Sequence, residues 1–167
     1  EIKSIIAALK DPASILAVFR VIAHTEEGWL AGELIRLMLS HTPQDLEAPI
    51  RDAIASGDYL LQCLGIYLVG KSRDDSLLRV LTDFYRKPFG EKLDRLERKS
   101  LDALEEGIPH CSEDLILEWL RDGSSRVRLL GVKAAQLRQL EAAVGDLVRL
   151  LLVDAKTRAQ AAAALLE

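Results

Sequence analysis

The 167-residue chain holds two cysteines, five prolines, three histidines and only 5% aromatic residues, and it has no long uncharged apolar run. Each scarcity excludes something. Its apolar runs, "SILAVF" among them, fall far short of the roughly 18 residues a membrane-spanning helix needs. The opening "EIKSIIAALK" has neither an initiator methionine nor the layout of a signal peptide, so the sequence reads as a soluble, cytoplasmic piece of a longer protein with no membrane contact. Cys63 sits inside an apolar helical pattern, which suits a reducing compartment better than a disulfide to Cys111. His24, His41 and His110 are followed by Thr25, Thr42 and Cys111, so no H-E-x-x-H occurs, and there is no glycine-rich phosphate loop and no G-x-S-x-G. His110-Cys111 could ligate a transition metal, but without a second ligand pair a capping or buried-loop role is preferred. Cys63 reads as core rather than as a nucleophile. No catalytic residue, metal or cofactor is expected.

Leucine and alanine supply most of the 49% hydrophobic content, 29% of the residues are charged, and the formal charge is −4. A chain of this length buries about 70% of its unfolded surface, enough for one domain without staples. The apolar spacing is helical throughout, as in Leu61, Leu64, Leu68 or Leu77, Leu81, Tyr85, and nothing alternates with period two. Asp11-Pro12 and Thr42-Pro43 place a capping side chain before a proline at the first helical position, and Ser112 precedes Glu113 and Asp114 as a helix start. Gly57, Gly70, Pro88, Gly107, Pro109 and Gly123 read as stops and turns. The pattern predicts eleven helices, near 1–10, 12–24, 27–40, 43–56, 58–70, 74–86, 90–106, 112–121, 124–139, 141–153 and 155–166. Short connections make these antiparallel hairpins in a row.

The chain also repeats itself. "LLQCLGIYLVG" at 60–70 lies on "RVRLLGVKAAQ" at 126–136 with an offset of 66, about two units of 33, and pairs Gly65 with Gly131. The tail "DAKTRAQAAAALLE" lies on "DGSSRVRLLGVKAA" with an offset of 32, pairing Asp154 with Asp122 and Ala163 with Gly131. Gly65, Ser100, Gly131 and Ala163 thus form a column of small residues. Glycine inside a helix costs roughly 0.5–1 kcal/mol relative to alanine. Close approach of the next helix is expected to offset that cost.

The run "LRDGSSRVRLLGVKAAQLRQLEAAVGDLVRLLLVD" resembles the HEAT-like repeats of the phycobilin-lyase type, in which a leucine-rich second helix ends in Asp and a Val-Arg pair opens the next helix. Here Asp122 precedes Val127 and Arg128. The resemblance is good over 113–167, fair over 56–87 and weak before 56, and Gln62 and Gln160 stand where the family would carry arginine. It implies a single domain over 1–167, with divergent hairpins in 1–56 and clearer repeats in 57–167, coiled as a right-handed superhelix of about five hairpins. It also implies turn-holding roles for Asp122, Arg128 and Asp154. Phycobilin lyase activity is implied only by the name of the repeat. The iron-binding His-Glu pairs of the superfamily's deoxyhypusine hydroxylases are missing from this sequence.

In such solenoids the second helices line the concave face. The repeat spacing puts Asp52, Asp83, Glu118 and Arg149 in one ladder there, with Arg79, Arg86 and Arg121 beside it. Trp119 and Trp29 are expected in the core, although Trp119 could anchor a partner. The leading expectation is a non-catalytic scaffold presenting this concave surface to a protein or peptide. The alternative is a HEAT-like nucleic-acid binder or enzyme using basic segments 86–99 and 121–138, brought together by stacking. The acidic stretch 102–118 between them offers internal pairing as the plainer reading of those charges.

Overall fold

The caps read from the sequence close as hydrogen bonds in the computed structural model, which describes Ser4 and residues 9–87 and 94–166. Asp11 accepts from the Ser14 amide at 2.9 Å, Thr42 from Asp45 at 3.3 Å and Ser112 from Leu115 at 3.2 Å, each satisfying a donor that the first helical turn leaves open. Among the described residues there are ten α-helices and no strand: α1 Pro12–His24, α2 Gly28–Met38, α3 Pro43–Ala55, α4 Tyr59–Ser72, α5 Asp75–Tyr85, α6 Asp94–Gly107, α7 Glu113–Leu120, α8 Ser125–Arg138, α9 Val144–Val153 and α10 Arg158–Leu166. A short 3-10 turn, Glu141–Ala143, precedes α9. The helix expected over 1–10 and the start of the one expected over 90–106 lie outside the described residues.

Two compact units divide the chain, Glu1–Gly107 and Ile108–Glu167. In the first, α4 packs on α1, α3, α5 and α6, and α3 also packs on α5. In the second, α7 packs on α8 and α9 on α10, while α8 reaches α10 and α7 reaches α9. Helices in both units therefore touch their chain neighbour and also the helix after it.

The repeat at offset 66 is visible in the backbone. Helices α4 and α8 are both 14 residues long, start at positions 59 and 125, and end at Arg73 (φ 55°) and Gln139 (φ 47°). Those two are the only non-glycine residues with positive φ among the described ones. Gly65 and Gly131 are buried at matching points, but each faces the helix before it, α3 or α7, rather than the one after.

Ser100 is fully buried and donates to the Leu96 carbonyl, so α6 satisfies its small hydroxyl internally. Ala163 departs from the column, being exposed, whereas Ala161 is fully buried. The last helix begins at Arg158 rather than near 155, which turns a different alanine inward. Gly70 is no stop either. It is buried inside α4, where an added Cβ would come within 3.2 Å of Ala103 Cβ.

Asp122 accepts from the Ser124 amide and Asp154 from the Lys156 amide, forming the same turn 32 residues apart. Arg128 joins the two. It pairs with Asp154 at 2.6 Å and donates to the carbonyls of Asp122 and Gly123 at 2.8 Å each. At the equivalent place in the first unit, Gln62 donates to the Ile54 carbonyl at 3.0 Å.

Trp119 is 1% exposed and lies in the core of its unit, but Trp29 is 71% exposed. Helix α2 buries Leu34 and Met38, and Trp29, nine residues before Met38, falls half a turn away from that face.

Candidate functional site

Three of the residues assigned to a partner surface, Arg79, Asp83 and Arg86, lie on α5 in the first unit, where Asp83 and Arg86 pair at 2.7 Å. Asp52 is exposed on the neighbouring α3. Between these helices runs a cleft of about 260 Å³ lined by Arg51, Ile54, Val80, Asp83 and Phe84 among others, and Arg51 is already paired with Glu47. The other three, Glu118, Arg121 and Arg149, belong to the second unit. There Asp146 sits between Arg121 at 2.8 Å and Arg149 at 3.6 Å, and Arg149 also donates to the Leu120 carbonyl. These side chains tie the C-terminal end of α7 to α9.

The basic segments fare differently. In 121–138, Arg121 and Arg128 are paired with Asp146 and Asp154, and Arg138 donates to the carbonyls of Ile108 and Cys111. Those three cations are spent on holding the second unit together. Cys111 is buried and gives its thiol to the Ile108 carbonyl, and neither it nor Cys63 forms a disulfide. Among the described residues no group of three or more His, Cys, Asp or Glu could hold a metal ion, and no helix is long and apolar enough to cross a membrane.

Segment 86–99 is another matter. Residues 88–93 lie outside the described residues, but Arg95, Arg98 and Lys99 stand exposed on α6. Among the described residues, no carboxylate lies within ion-pair distance of these three. They border a furrow of two adjoining parts, the first between α4 and α6 and the second lined, among the described residues, by α6 alone. One, of about 200 Å³, is lined by Cys63, Ile66, Tyr67, Lys99, Asp102, Ala103 and Glu106, and the other, of about 340 Å³, by Arg95, Arg98, Lys99 and Asp102.

Helix α4 supplies one wall because its other sides are buried against four helices, leaving the stripe Tyr59, Cys63, Tyr67 and Lys71 open at steps of four residues. Tyr59 and Tyr67 are 41% and 46% exposed. Helix α6 runs beside α4 in the same direction: Cys63 and Tyr67 share the furrow with Lys99 and Asp102, and Lys71 reaches Glu106.

Electrostatics divide the furrow lengthwise. At one end the Lys71 ammonium lies 2.6 Å from Glu106 and 5.6 Å from the centre of the Tyr67 ring. The hydrogen bond that Lys71 donates to Glu106 holds the amine above its ordinary pKa, against the opposing effect of burial. Gly70 makes this closure possible, since a Cβ there would lie 3.2 Å from Glu106 Oε2. At the other end a hydrogen bond with Cys63 and partial burial push the Tyr59 hydroxyl above its ordinary pKa, while Arg95 pulls it down.

This furrow lies on helices expected to be the first of their hairpins, whereas the ladder was read on the second ones. The signal for it was present in the spacing of Tyr59, Cys63, Tyr67 and Lys71, echoed by Arg95, Lys99, Asp102 and Glu106 after 35 or 36 residues. Comparison with protein-family models, with curated proteins and with solved structures gives no match for this chain.

Proposed function

We propose that this chain is a non-catalytic protein-interaction module of a cytoplasmic protein, built from HEAT-like hairpins stacked as a right-handed superhelix, with the α4/α6 furrow as its docking surface. The stacking reading draws support from helices that touch the next-but-one helix in both units, and from the matching of α4 with α8. One observation carries the docking reading: the exposed Tyr67 ring shares one shallow furrow with Arg95, Arg98 and Lys99, which have no carboxylate partner among the described residues. Tyrosine and arginine are the side chains most often found at the energetic centre of protein interfaces. The α3/α5 cleft is the weaker candidate, because Arg51 is already paired with Glu47 and Asp83 with Arg86.

The test is retention of a protein from lysate of the source cells by wild type, after nuclease treatment, and its loss with the triple variant Arg95→Glu, Arg98→Glu, Lys99→Glu. A partner that the triple variant retains equally would remove the furrow from the interface. Material released entirely by nuclease would replace the scaffold reading with a nucleic-acid one.

A further inference from the structure

We infer that the α4/α6 furrow takes a short acidic peptide segment in extended form, its carboxylates at the Arg95, Arg98 and Lys99 end and an apolar side chain against Cys63, Ile66 and Tyr67. The inference rests on the docking reading above and names the class of partner.

Charge complementarity carries it. Arg95, Arg98 and Lys99, without carboxylate partners among the described residues, outnumber the one carboxylate, Asp102, in their part of the furrow, whereas the other part adds Glu106, already engaged by Lys71. A ligand lying along the furrow must therefore be anionic at one end only. A nucleic-acid strand repeats its phosphate charge at every nucleotide and would carry it past Asp102 and Glu106. A peptide places its acids where they are wanted.

Size points the same way. From Arg95 to Glu106 a helix advances by about 17 Å, which an extended chain covers with roughly five residues. Ile66 and Ala103, buried to 2% and 7% exposure, form an apolar floor, and the Tyr67 ring rises beside it at 46% exposure. One apolar side chain on that floor supplies contact area, while the cations supply orientation and association rate.

The experiment is selection of a random dodecapeptide library on the immobilised wild-type chain, the triple Arg95→Glu, Arg98→Glu, Lys99→Glu variant and Tyr67→Ala. Fluorescence anisotropy then follows on the enriched peptides and on a labelled oligothymidine. All four substituted side chains are exposed, and circular dichroism melting of each variant checks that it folds as wild type does. Expected are sequences with clustered Asp and Glu beside an apolar residue. They should bind the triple variant at least about tenfold more weakly, bind Tyr67→Ala several-fold more weakly, and lose affinity as salt rises.

Enrichment of neutral sequences that survive charge reversal but are lost with Tyr67→Ala would overturn the acidic inference and leave the docking reading standing. Enrichment indifferent to both variants would overturn both. Oligothymidine binding tighter than any selected peptide would overturn the peptide assignment in favour of single-stranded nucleic acid.

Discussion

Gly65 and Gly131 occupy the same place in two helical hairpins, yet the helices they face leave them different room. A Cβ on Gly65 would come within 3.0 Å of Ile54 Cγ1 and 3.3 Å of Ala53 Cβ, both side-chain atoms. On Gly131 it would come within 2.7 Å of the Leu120 amide nitrogen and 2.9 Å of the Trp119 carbonyl carbon. A side-chain carbon can give by a few tenths of an ångström, but the backbone of α7 moves only as a whole. Two equivalent letters of a repeat can therefore differ in what they hold apart.

The largest expected effect follows from that difference. Gly131→Ala should destabilise the protein by about 2–3 kcal/mol through overpacking. Gly65→Ala should stay within about 1 kcal/mol of wild type, because the gain in helix propensity opposes a milder clash. Urea unfolding of both variants decides it, and an equal or larger loss at Gly65 would break the comparison.

A second pair sharpens it. Gln62 and Arg128 also stand 66 residues apart, one making a single bond to a carbonyl, the other bonding two carbonyls and Asp154. Arg128→Met should cost about 1–2 kcal/mol and Gln62→Met less than about 1 kcal/mol, since the arginine change leaves a largely buried carboxylate alone. The same unfolding series measures both, and a costlier Gln62→Met would show that the turn, not the ion pair, carries the stability.

The smallest effect is in acid. Burial pushes the Asp154 carboxyl up, but hydrogen bonds from Arg128 and the Lys156 amide outweigh it and hold the group below its ordinary pKa. The Leu61 amide and then His24 do the same for Asp58 at the start of α4. A depressed carboxylate pKa contributes stability that is present above the unfolded value, about 3.9, and is lost as pH falls through the folded one. The stability gap between wild type and Asp154→Asn should therefore be constant near neutrality and shrink below about pH 4. A gap that widens in acid, followed by thermal melting against pH, would contradict the hydrogen-bonding account.

Much of the fold was legible because its signals are local. Asp11, Thr42 and Ser112 cap helices by reaching three residues along their own chain. Gly65 and Gly131 could be paired because α4 and α8, helices of equal length, repeat the same local pattern. Where the reading failed, the deciding contact lay elsewhere in the chain. Gly70 looked like a stop until Ala103 and Glu106 of α6 closed on it, and Ala163 lost its place to Ala161 because the last helix starts later than its spacing implied. Trp29 looked like core by residue type alone, and only the side on which α2 packs left it in solvent.

The candidate site shows the division most clearly. The sequence alone determined that this is an all-helical chain, where the capped helices α1, α3 and α7 begin, and that a four-residue stripe of Tyr59, Cys63, Tyr67 and Lys71 exists, because caps and periodicity act within a turn or two of backbone. Which stripe of α4 stayed open, and which cations came to stand beside it, was decided only when α1, α3, α5 and α6 packed around that helix. Burial is a property of neighbours, and those neighbours lie tens of residues away along the chain.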